Sequence, residues 1–348
     1  IWHDNKGSLA VASEIKSFQS LPGWQANLNH NRAMDYLNYM QMDHTDETMF
    51  SGVTQLKGGE YLRIQWPSNE LRVERKTWYT LNPEPADINY EDAIQKFKDL
   101  FESSVRYRLR ADVPVGTCLS GGLDSSAIFG QSYNLLNNNG ADVRQHAFSS
   151  CSIHPEFDER PYIDAALEGR DVEWHGLFPD STDLMKELDA IIWHHDEPFL
   201  STSVYAQWCV FREVGKTDVK VTLDGNGADE LLIGYDHNHT ALLNEMVREG
   251  KISELMAIKN ANNYSTPIMI RKLLSSMAPE KIREFLFKIS GRTHSLNDWF
   301  NIDKLDITNS ISPSSKLNKS SIFDISRNQV TMTSVPKQLH WADRDSMA

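Results

Sequence analysis

The chain has 348 residues, of which 40% are hydrophobic, and it carries a formal net charge of −13. The hydrophobic content is enough to fill a folded core, which excludes global disorder, and the acidic balance argues against nucleic acid or an anionic membrane as the main partner. Cys118, Cys151 and Cys209 are too scattered for a disulfide framework or a clustered zinc site, and no apolar run is long enough to span a bilayer. A reducing cytoplasm is therefore the expected compartment.

The first part of the chain predicts a small β-rich region. Apolar patterning predicts a strand at residues 9–12, a helix at 31–40 and two alternating strands at 60–66 and 71–78. A proline-containing stretch at 82–89 then indicates a linker. We therefore predict two domains, residues 1–80 and residues 81–348.

The second part alternates strands with helices. After a helix at 90–110, strands are predicted at 113–119, 144–153, 172–178 and 219–223, with helices between them. This alternation predicts an α/β fold around a parallel sheet. Further helices are predicted at 241–247, 252–257 and 268–277, followed by a polar mobile loop at 309–321.

A glycine- and serine-rich motif follows the predicted strand at 113–119. Its residues are Ser120, Gly121, Gly122, Leu123, Asp124, Ser125 and Ser126. Glycines let the backbone approach a ligand, and the free amides and dipole of the helix that opens here favour an anion. A carboxylate in such a place needs an accompanying cation, so Asp124 indicates a magnesium-bound polyphosphate. The motif is neither a Walker loop nor a dinucleotide fingerprint, and a glycine turn with a serine cap is the alternative without a ligand.

A second cluster of glycines and carboxylates follows the predicted strand at 219–223. It contains Asp224, Gly225, Asn226, Asp229 and Glu230. Neighbouring strand ends of a parallel sheet can bind one ligand in the crevice between them, so Asp124 and Asp229 can share magnesium on a pyrophosphate. A single carboxylate that caps the next helix would need no function.

Two histidine-containing stretches are weaker candidates for a metal site. Adjacent residues on a helix point in different directions, so residues 194–197 indicate a helix end stopped by Pro198 rather than a metal site. His237 and His239 have no cysteine or third histidine nearby, which favours a helix start or a surface position.

The motifs resemble those of known enzymes. Residues 120–126 resemble the pyrophosphate loop of the N-type ATP pyrophosphatases, and residues 110–114 resemble the lead-in of glutamine-dependent asparagine synthetases. The second cluster is similar to the Ser-Gly-Glu-Gly-Ala-Asp-Glu signature of those synthetases. Asp224 stands in place of the family serine, and Asn226 replaces a glutamate implicated in the chemistry after ATP binds. The first 80 residues resemble the last third of an N-terminal-nucleophile (Ntn) glutaminase domain.

The resemblance implies a fold and a reaction. The fold is a Rossmann-like parallel sheet of the adenine nucleotide alpha hydrolase (PP-loop) type, preceded by the β-rich tail of the Ntn glutaminase domain. The reaction is ATP-dependent amidation of a carboxylate through an acyl-adenylate, with AMP and pyrophosphate released. Aspartate is the first expected acid, and glutamine supplies the ammonia.

The resemblance also implies site residues, whereas the catalytic residues stay unassigned. ATP and Mg²⁺ are the expected cofactors, Asp124 and Asp229 are the expected magnesium ligands, and backbone groups at Leu119 and Ser150 are expected to hold the adenine. The full set expected to bind the nucleotide is Leu119, Ser120, Gly121, Gly122, Leu123, Asp124, Ser125, Ser126, Ser150, Asp224 and Gly225.

Departures from the family pattern leave alternatives open. Glutamine hydrolysis in the family needs an N-terminal cysteine, but this sequence begins with Ile1 and has no cysteine before Cys118, so as given it is not expected to hydrolyse glutamine. It resembles a fragment that lacks both ends of the family's chain. Asn226 leaves open another acid, such as a sugar acid, or ring closure as in β-lactam synthetases. A nucleotide-binding protein without catalysis is a further alternative, and a homodimer is one option for the assembly.

Overall fold

The computed structural model describes residues 1–3, 8–65, 72–138, 144–261 and 321–348, with a few single positions between 265 and 307. The chain divides into two compact units: one contains Ile1–Pro83 and Asp229–Lys337, and the other contains Glu84–Ala228 and Gln338–Ala348. The first boundary falls in the predicted linker. Assignment of residues 1–80 to a glutaminase domain stays a prediction. Within the described ranges, every helix is too short or too polar to cross a membrane.

The first 83 residues form two small antiparallel pairs and one helix. The elements are β1 (Trp2–His3), β2 (Leu9–Ala10), a 3-10 helix (Ile15–Ser20), α1 (His30–Tyr39), β3 (Glu60–Gln65) and β4 (Arg72–Thr77). The helix and hairpin predicted here are confirmed. Asp35 on α1 is fully buried, and its carboxylate is paired with Arg32 Nη2 at 3.0 Å and His44 Nε2 at 2.9 Å. These charge-assisted contacts offset the cost of burying the carboxylate.

The Glu84–Ala228 segment alternates helices and strands as predicted. Its elements are α2 (Tyr90–Arg108), β5 (Val115–Cys118), α3 (Leu123–Asn138), β6 (Gln145–Ser150), α4 (Arg160–Leu167), β7 (Val172–Leu177), α5 (Ser181–His195), α6 (Thr202–Val214) and β8 (Val221–Leu223). The four strands are parallel and lie in the order β7-β6-β5-β8. The predicted α/β class with a parallel sheet is confirmed.

Apolar side chains cover both faces of this sheet. Successive residues of a strand point to opposite faces, so Ala147 packs with Leu119, Phe129 and Ile163, whereas Phe148 belongs to a separate cluster. The second cluster contains Phe148, Val210, Val214 and Val219. The sheet therefore has a buried apolar cluster on each face, as is typical of parallel sheets.

The strand order creates a switch point at β5. The chain proceeds from β5 to β6 and β7 on one side, and then adds β8 on the other side of β5. In open parallel sheets, a crevice forms outside the carboxyl ends of the strands where the order reverses. The crevice of this sheet therefore lies between the segments that follow β5 and β8.

The remaining elements are helical. They are α7 (Ala228–Leu232), α8 (Asp236–Arg248), α9 (Ile252–Ala261), α10 (Ile322–Asn328), a π-helical turn (Gln329–Thr333) and α11 (Val335–Ser346). The helices predicted at 241–247 and 252–257 are confirmed. The helix predicted at 268–277 and nearly all of the loop predicted at 309–321 lie outside the described ranges.

The histidine-rich helix end is structural, as predicted. The last residue of α5 is His195, whose Nε2 lies 2.8 Å from Oδ1 of Asp345 near the end of the chain, and both side chains are buried. Burial raises the pKa of Asp345, and the neighbouring imidazole opposes that shift. The pair joins the Gln338–Ala348 segment to α5. His237 and His239 lie in the first turn of α8.

Candidate functional site

The loop between β5 and α3 is shaped by its own hydroxyl groups. The buried Ser125 hydroxyl accepts a hydrogen bond from the Ser120 amide at 3.2 Å and donates one to the Gly122 carbonyl at 3.1 Å. It also lies 2.9 Å from the Ser120 hydroxyl, which accepts from the Gly122 amide at 3.2 Å. Ser125 therefore holds the loop together from within.

The backbone conformation and close packing at Gly121 both require glycine. Its φ of +90° is one that side-chain-bearing residues rarely adopt, and a Cβ there would lie 2.9 Å from the Glu159 carbonyl oxygen. The Ile163 side chain would be 3.3 Å away. The sequence predicts that both glycines allow close approach of a ligand. In the structure, the group close to Gly121 is the start of α4.

The loop leads directly into the amino terminus of α3. This helix starts at Leu123, so the amides of residues 123–126 belong to its first turn, where the dipole favours negative charge. The Ser126 amide donates to the Gly122 carbonyl at 3.1 Å. Leu123 is 85% exposed and Asp124 is partly exposed, so this turn is open to solvent.

The end of β8 lies directly against this turn. A Cβ on Gly225 would be 3.1 Å from both the Asp124 Cβ and the Ser125 amide nitrogen. The preceding Asp224 accepts a hydrogen bond from the Asn226 amide at 3.1 Å, which closes a tight turn. The segments that follow β5 and β8 therefore lie side by side, with Gly225 against Asp124 and Ser125.

Cys118 is the last residue of β5, just before the loop, and its thiol is unreactive. Burial and the adjacent Asp224 carboxylate raise the pKa of its thiol to about 12, while a hydrogen bond with Thr222 acts in the opposite direction. The side chain therefore stays a neutral thiol near pH 7. A thiolate, rather than a thiol, is the nucleophile and metal ligand, so Cys118 serves packing at this edge.

The backbone of Leu119 is largely committed within the sheet. Its amide donates to the Phe148 carbonyl at 2.8 Å, and its carbonyl accepts from the Ser149 hydroxyl at 2.6 Å. Ser149 in turn accepts from the Trp174 indole N–H at 3.0 Å. A ligand can therefore use only the second lone pair of the Leu119 carbonyl. Sequence reasoning missed Ser149 and Trp174, because only the register of β6 against β7 brings them together.

Ser150 and Asp229 belong to different compact units. Ser150 is the last residue of β6 and is partly exposed, at the same edge of the sheet as the loop. Asp229 is grouped with the other compact unit, so its sharing of a metal with Asp124 stays a prediction. A Cβ on Gly234 would lie 2.0 Å from Asp229 Oδ1, so a larger residue there would displace that carboxylate.

Glu230, next to Asp229, has structural contacts. It is fully buried and accepts hydrogen bonds from the hydroxyls of Tyr235 (2.8 Å) and Ser334. Burial lowers the pKa of Lys337, whereas the charges of Asp43 and Glu230 raise it. This carboxylate therefore belongs to the packing of its own unit.

The groups at the sheet edge suit a polyphosphate with a hard cation. The first turn of α3 supplies amides, Ser120 and Ser126 supply hydroxyls, and Asp124 and Asp224 supply carboxylates. Amides at a helix start bind phosphate oxygens, and Mg²⁺ prefers oxygen ligands. The donor set therefore fits both ATP and Mg²⁺.

Comparison with known proteins agrees with this chemistry. Residues 96–348 match the asparagine synthase family. The chain belongs to the asparagine synthase family. It is 30% identical to glutamine-hydrolysing asparagine synthetase 1 of Bacillus subtilis over 57% of this chain and 30% of that protein. It is 28% identical to amidase chyE of Penicillium rubens over 69% of this chain and 36% of that protein.

These relatives are much longer than the region they share with this chain, which spans about a third of each. Among solved structures, the NH3-dependent NAD synthetase of Campylobacter jejuni aligns with 73% of this chain and 96% of its own, at 14% identity and a TM-score of 0.30.

Proposed function

We propose that this chain carries the ATP-using part of an amide-forming ligase, which activates a carboxylate as its acyl-adenylate and then forms an amide. The contact of Gly225 with Asp124 and Ser125 at the switch point of the sheet carries this proposal. It joins two glycine-rich segments, about a hundred residues apart in sequence, into one edge with amides, hydroxyls and carboxylates. Aspartate is the first proposed acid, in keeping with the family.

The residues at this edge match the demands of the reaction. A carboxylate is a poor electrophile, and adenylation makes it open to attack by ammonia. The leaving pyrophosphate must be stabilised, and we propose this role for the amides of the first turn of α3 with the Ser120 and Ser126 hydroxyls. Bound magnesium would supply further charge neutralisation, with Asp124 and Asp229 as its proposed ligands. The Leu119 carbonyl and the Ser150 backbone are proposed to hold the adenine.

Glutamine is the proposed source of ammonia in the whole protein. The name of the Bacillus subtilis relative specifies glutamine hydrolysis. Free ammonia replaces glutamine in an assay of this chain, which separates amide formation from the glutaminase reaction. The cytoplasm is the proposed location.

Exchange of radiolabelled pyrophosphate into ATP tests the adenylation step. We expect exchange that depends on aspartate and magnesium, and we expect its loss in Asp124→Asn. The exposed Asp189 on α5 provides the control, since Asp189→Asn should leave exchange unchanged. Absence of exchange with every acid tested, from a folded chain, would contradict adenylation by this chain.

A second candidate is amidation of another carboxylate, such as a sugar acid. It is favoured by Asn226, an exposed neutral residue in the turn that follows β8, where the family has a glutamate. The amidase name of the Penicillium relative also points beyond asparagine. The same exchange assay decides between the acids: stimulation by a sugar acid above that by aspartate would identify the second candidate.

A further inference from the structure

The residues 120–126 and 224–225, which follow β5 and β8, are called the nucleotide edge. A cluster of three side chains of metal-binding types lies outside these residues. His146 on β6 and Glu173 and His175 on β7 place one ligand atom each within 4.8 Å of one another. It is the one such group of three found among the residues that the structure describes. His146 is the second residue of β6, and Glu173 and His175 are the second and fourth residues of β7. All three lie within strands, whereas the proposed nucleotide groups at residues 120–126 and 224–225 follow the ends of β5 and β8.

The parallel register explains the convergence. His146 lies opposite Glu173, and Phe148 lies opposite His175, so one imidazole sits diagonally from the other across the strand pair. Residues two apart on a strand share a face, which places all three side chains on the face of Phe148. The imidazole of His175 stacks on Phe148 with ring centroids 4.5 Å apart, which fixes its orientation.

The distances between donor atoms suit a transition metal. Nδ1 of His146 lies 3.1 Å from Nε2 of His175, and the latter atom lies 3.7 Å from Glu173 Oε1. Ligands at about 2.1 Å in a tetrahedral zinc site are about 3.4 Å from one another. Two of the three separations are therefore within a few tenths of an ångström of that value, and all three donor atoms lie within 4.8 Å of one another.

The exposure of the three side chains and a nearby carboxylate also suit a metal site. The side chains of His146 and His175 are only 15% and 14% exposed, whereas Glu173 is 47% exposed, so the cluster is closed on the protein side and open on one side. Asp218 Oδ1 lies 3.9 Å from Nε2 of His146. A carboxylate facing the second nitrogen of a ligating histidine favours the tautomer whose other nitrogen can bind metal.

We propose that His146, His175 and Glu173 form a site for a late first-row divalent cation such as Zn²⁺, with one coordination position left for water. Imidazole nitrogens suit zinc, copper and nickel rather than magnesium, so this site is chemically distinct from the nucleotide edge. The ion would join the edge strand β7 to β6. Without the ion, His146 Nδ1 and His175 Nε2 form an N–H···N hydrogen bond.

Titration of the metal-stripped chain with Zn²⁺ by calorimetry tests the site. We expect one equivalent to bind at micromolar concentration, and at least tenfold weaker binding in His146→Gln and in His175→Gln. His154→Gln is the matched control, because His154 is exposed on the same unit and outside the cluster. The control should bind as the unsubstituted chain does. Equal binding by all the variants, or no binding by the unsubstituted chain, would overturn the proposal.

A second measurement does not depend on the folding of a variant. Zinc at a hundredfold excess over its dissociation constant should raise the midpoint of thermal unfolding of the unsubstituted chain by roughly 5 °C. Crystals soaked in Zn²⁺ should show an anomalous peak between the two imidazoles. An anomalous peak only at other residues would overturn the assignment.

Discussion

Two parts of the four-stranded sheet carry different donor atoms. At the carboxyl ends of β5 and β8, the accessible groups are amides, hydroxyls and carboxylates, with Asp124 beside Gly225. Within β6 and β7, two imidazoles and one carboxylate converge. Oxygen donors favour magnesium, whereas imidazoles favour zinc and its neighbours. One sheet can thus keep a nucleotide site and a transition-metal site chemically separate.

The two regions are also built differently. At the nucleotide edge, the shape of the loop at residues 120–126 is set by Ser120, Gly121 and Ser125 through contacts with nearby backbone. The histidine cluster depends on the register between two strands. Substitutions in the loop should therefore reduce nucleotide binding without affecting zinc, and substitutions in the cluster should do the reverse.

The nucleotide edge offers oxygen donors and the histidine cluster offers imidazoles. A reactive thiol at the nucleotide edge would remove this difference, since thiolates are soft ligands that also bind transition metals. The pKa of Cys118 is raised to about 12, so alkylation by iodoacetamide at pH 8 should be on the order of a thousandfold slower than in the unfolded chain. The native state also keeps a proton that the unfolded state loses above its ordinary pKa of 9.0. This thiol's contribution to stability should therefore fall as pH rises from 9 towards 12.

Mass spectrometry of the labelled peptides, with the chain in guanidinium as the control, measures the alkylation rate. Cys151 and Cys209 should also react slowly, because burial raises the pKa of both thiols. Rapid labelling of native Cys118 would contradict the placement of this thiol.

Gly121→Ala should damage the nucleotide edge strongly. The new Cβ would lie 2.9 Å from the Glu159 carbonyl at a φ of +90°, which costs roughly 1–3 kcal/mol of strain. We expect at least a tenfold loss of affinity for an ATP analogue, measured by calorimetry. Gly130→Ala is the control, since its Cβ would meet nothing within 4 Å and alanine favours the helix. Equal effects of the two substitutions would contradict the role given to Gly121.

Ser125→Ala should have a smaller effect on the same loop. It removes the hydrogen bonds to the Ser120 amide and the Gly122 carbonyl, so the free energy of unfolding should fall by about 1–3 kcal/mol and nucleotide affinity should fall with it. Ser132, on the same helix, is fully buried, and its hydroxyl has no hydrogen-bond partner among the described residues. Ser132→Ala should therefore be neutral or stabilising. Denaturant unfolding distinguishes the two, and a neutral Ser125→Ala would contradict the account.

Trp174→Phe should produce the smallest change. It removes the indole donor to Ser149 but keeps the aromatic ring, so about 0.5–1.5 kcal/mol of stability should be lost. The Ser149 hydroxyl can still donate to the Leu119 carbonyl, and nucleotide affinity should change only a few-fold. The exposed Trp193 offers the control Trp193→Phe, expected to be silent in denaturant unfolding. A large loss of affinity would show that the indole does more than orient Ser149.

The difference between the two regions also explains what the sequence could predict. Residues 120–126 are contiguous, and a strand followed by a glycine turn and a helix start has a local geometry that the residue types indicate. That the segments after β5 and β8 can lie side by side could be predicted because parallel strand ends meet at one edge, although the predicted pair was Asp124 with Asp229. The strand and helix bounds around them agree to within a few residues.

Contacts across strand register could not be predicted in the same way. His146 and His175 are 29 positions apart, and a shift of one residue would turn either imidazole to the other face. For the same reason, the hydrogen bond between Trp174 and Ser149 could not be predicted. The contact of Gly121 with Glu159 could not be predicted either, since Glu159 directly precedes α4, whose position no local pattern gives.

Calorimetric titration with a non-hydrolysable ATP analogue, with and without magnesium, tests the central claim most directly. The unsubstituted chain should bind the analogue in a magnesium-dependent manner, and Asp124→Asn should lose that dependence while Asp189→Asn keeps it. Binding that is equally strong in Asp124→Asn, or absent from the folded unsubstituted chain at millimolar analogue, would contradict a nucleotide site at the carboxyl ends of β5 and β8.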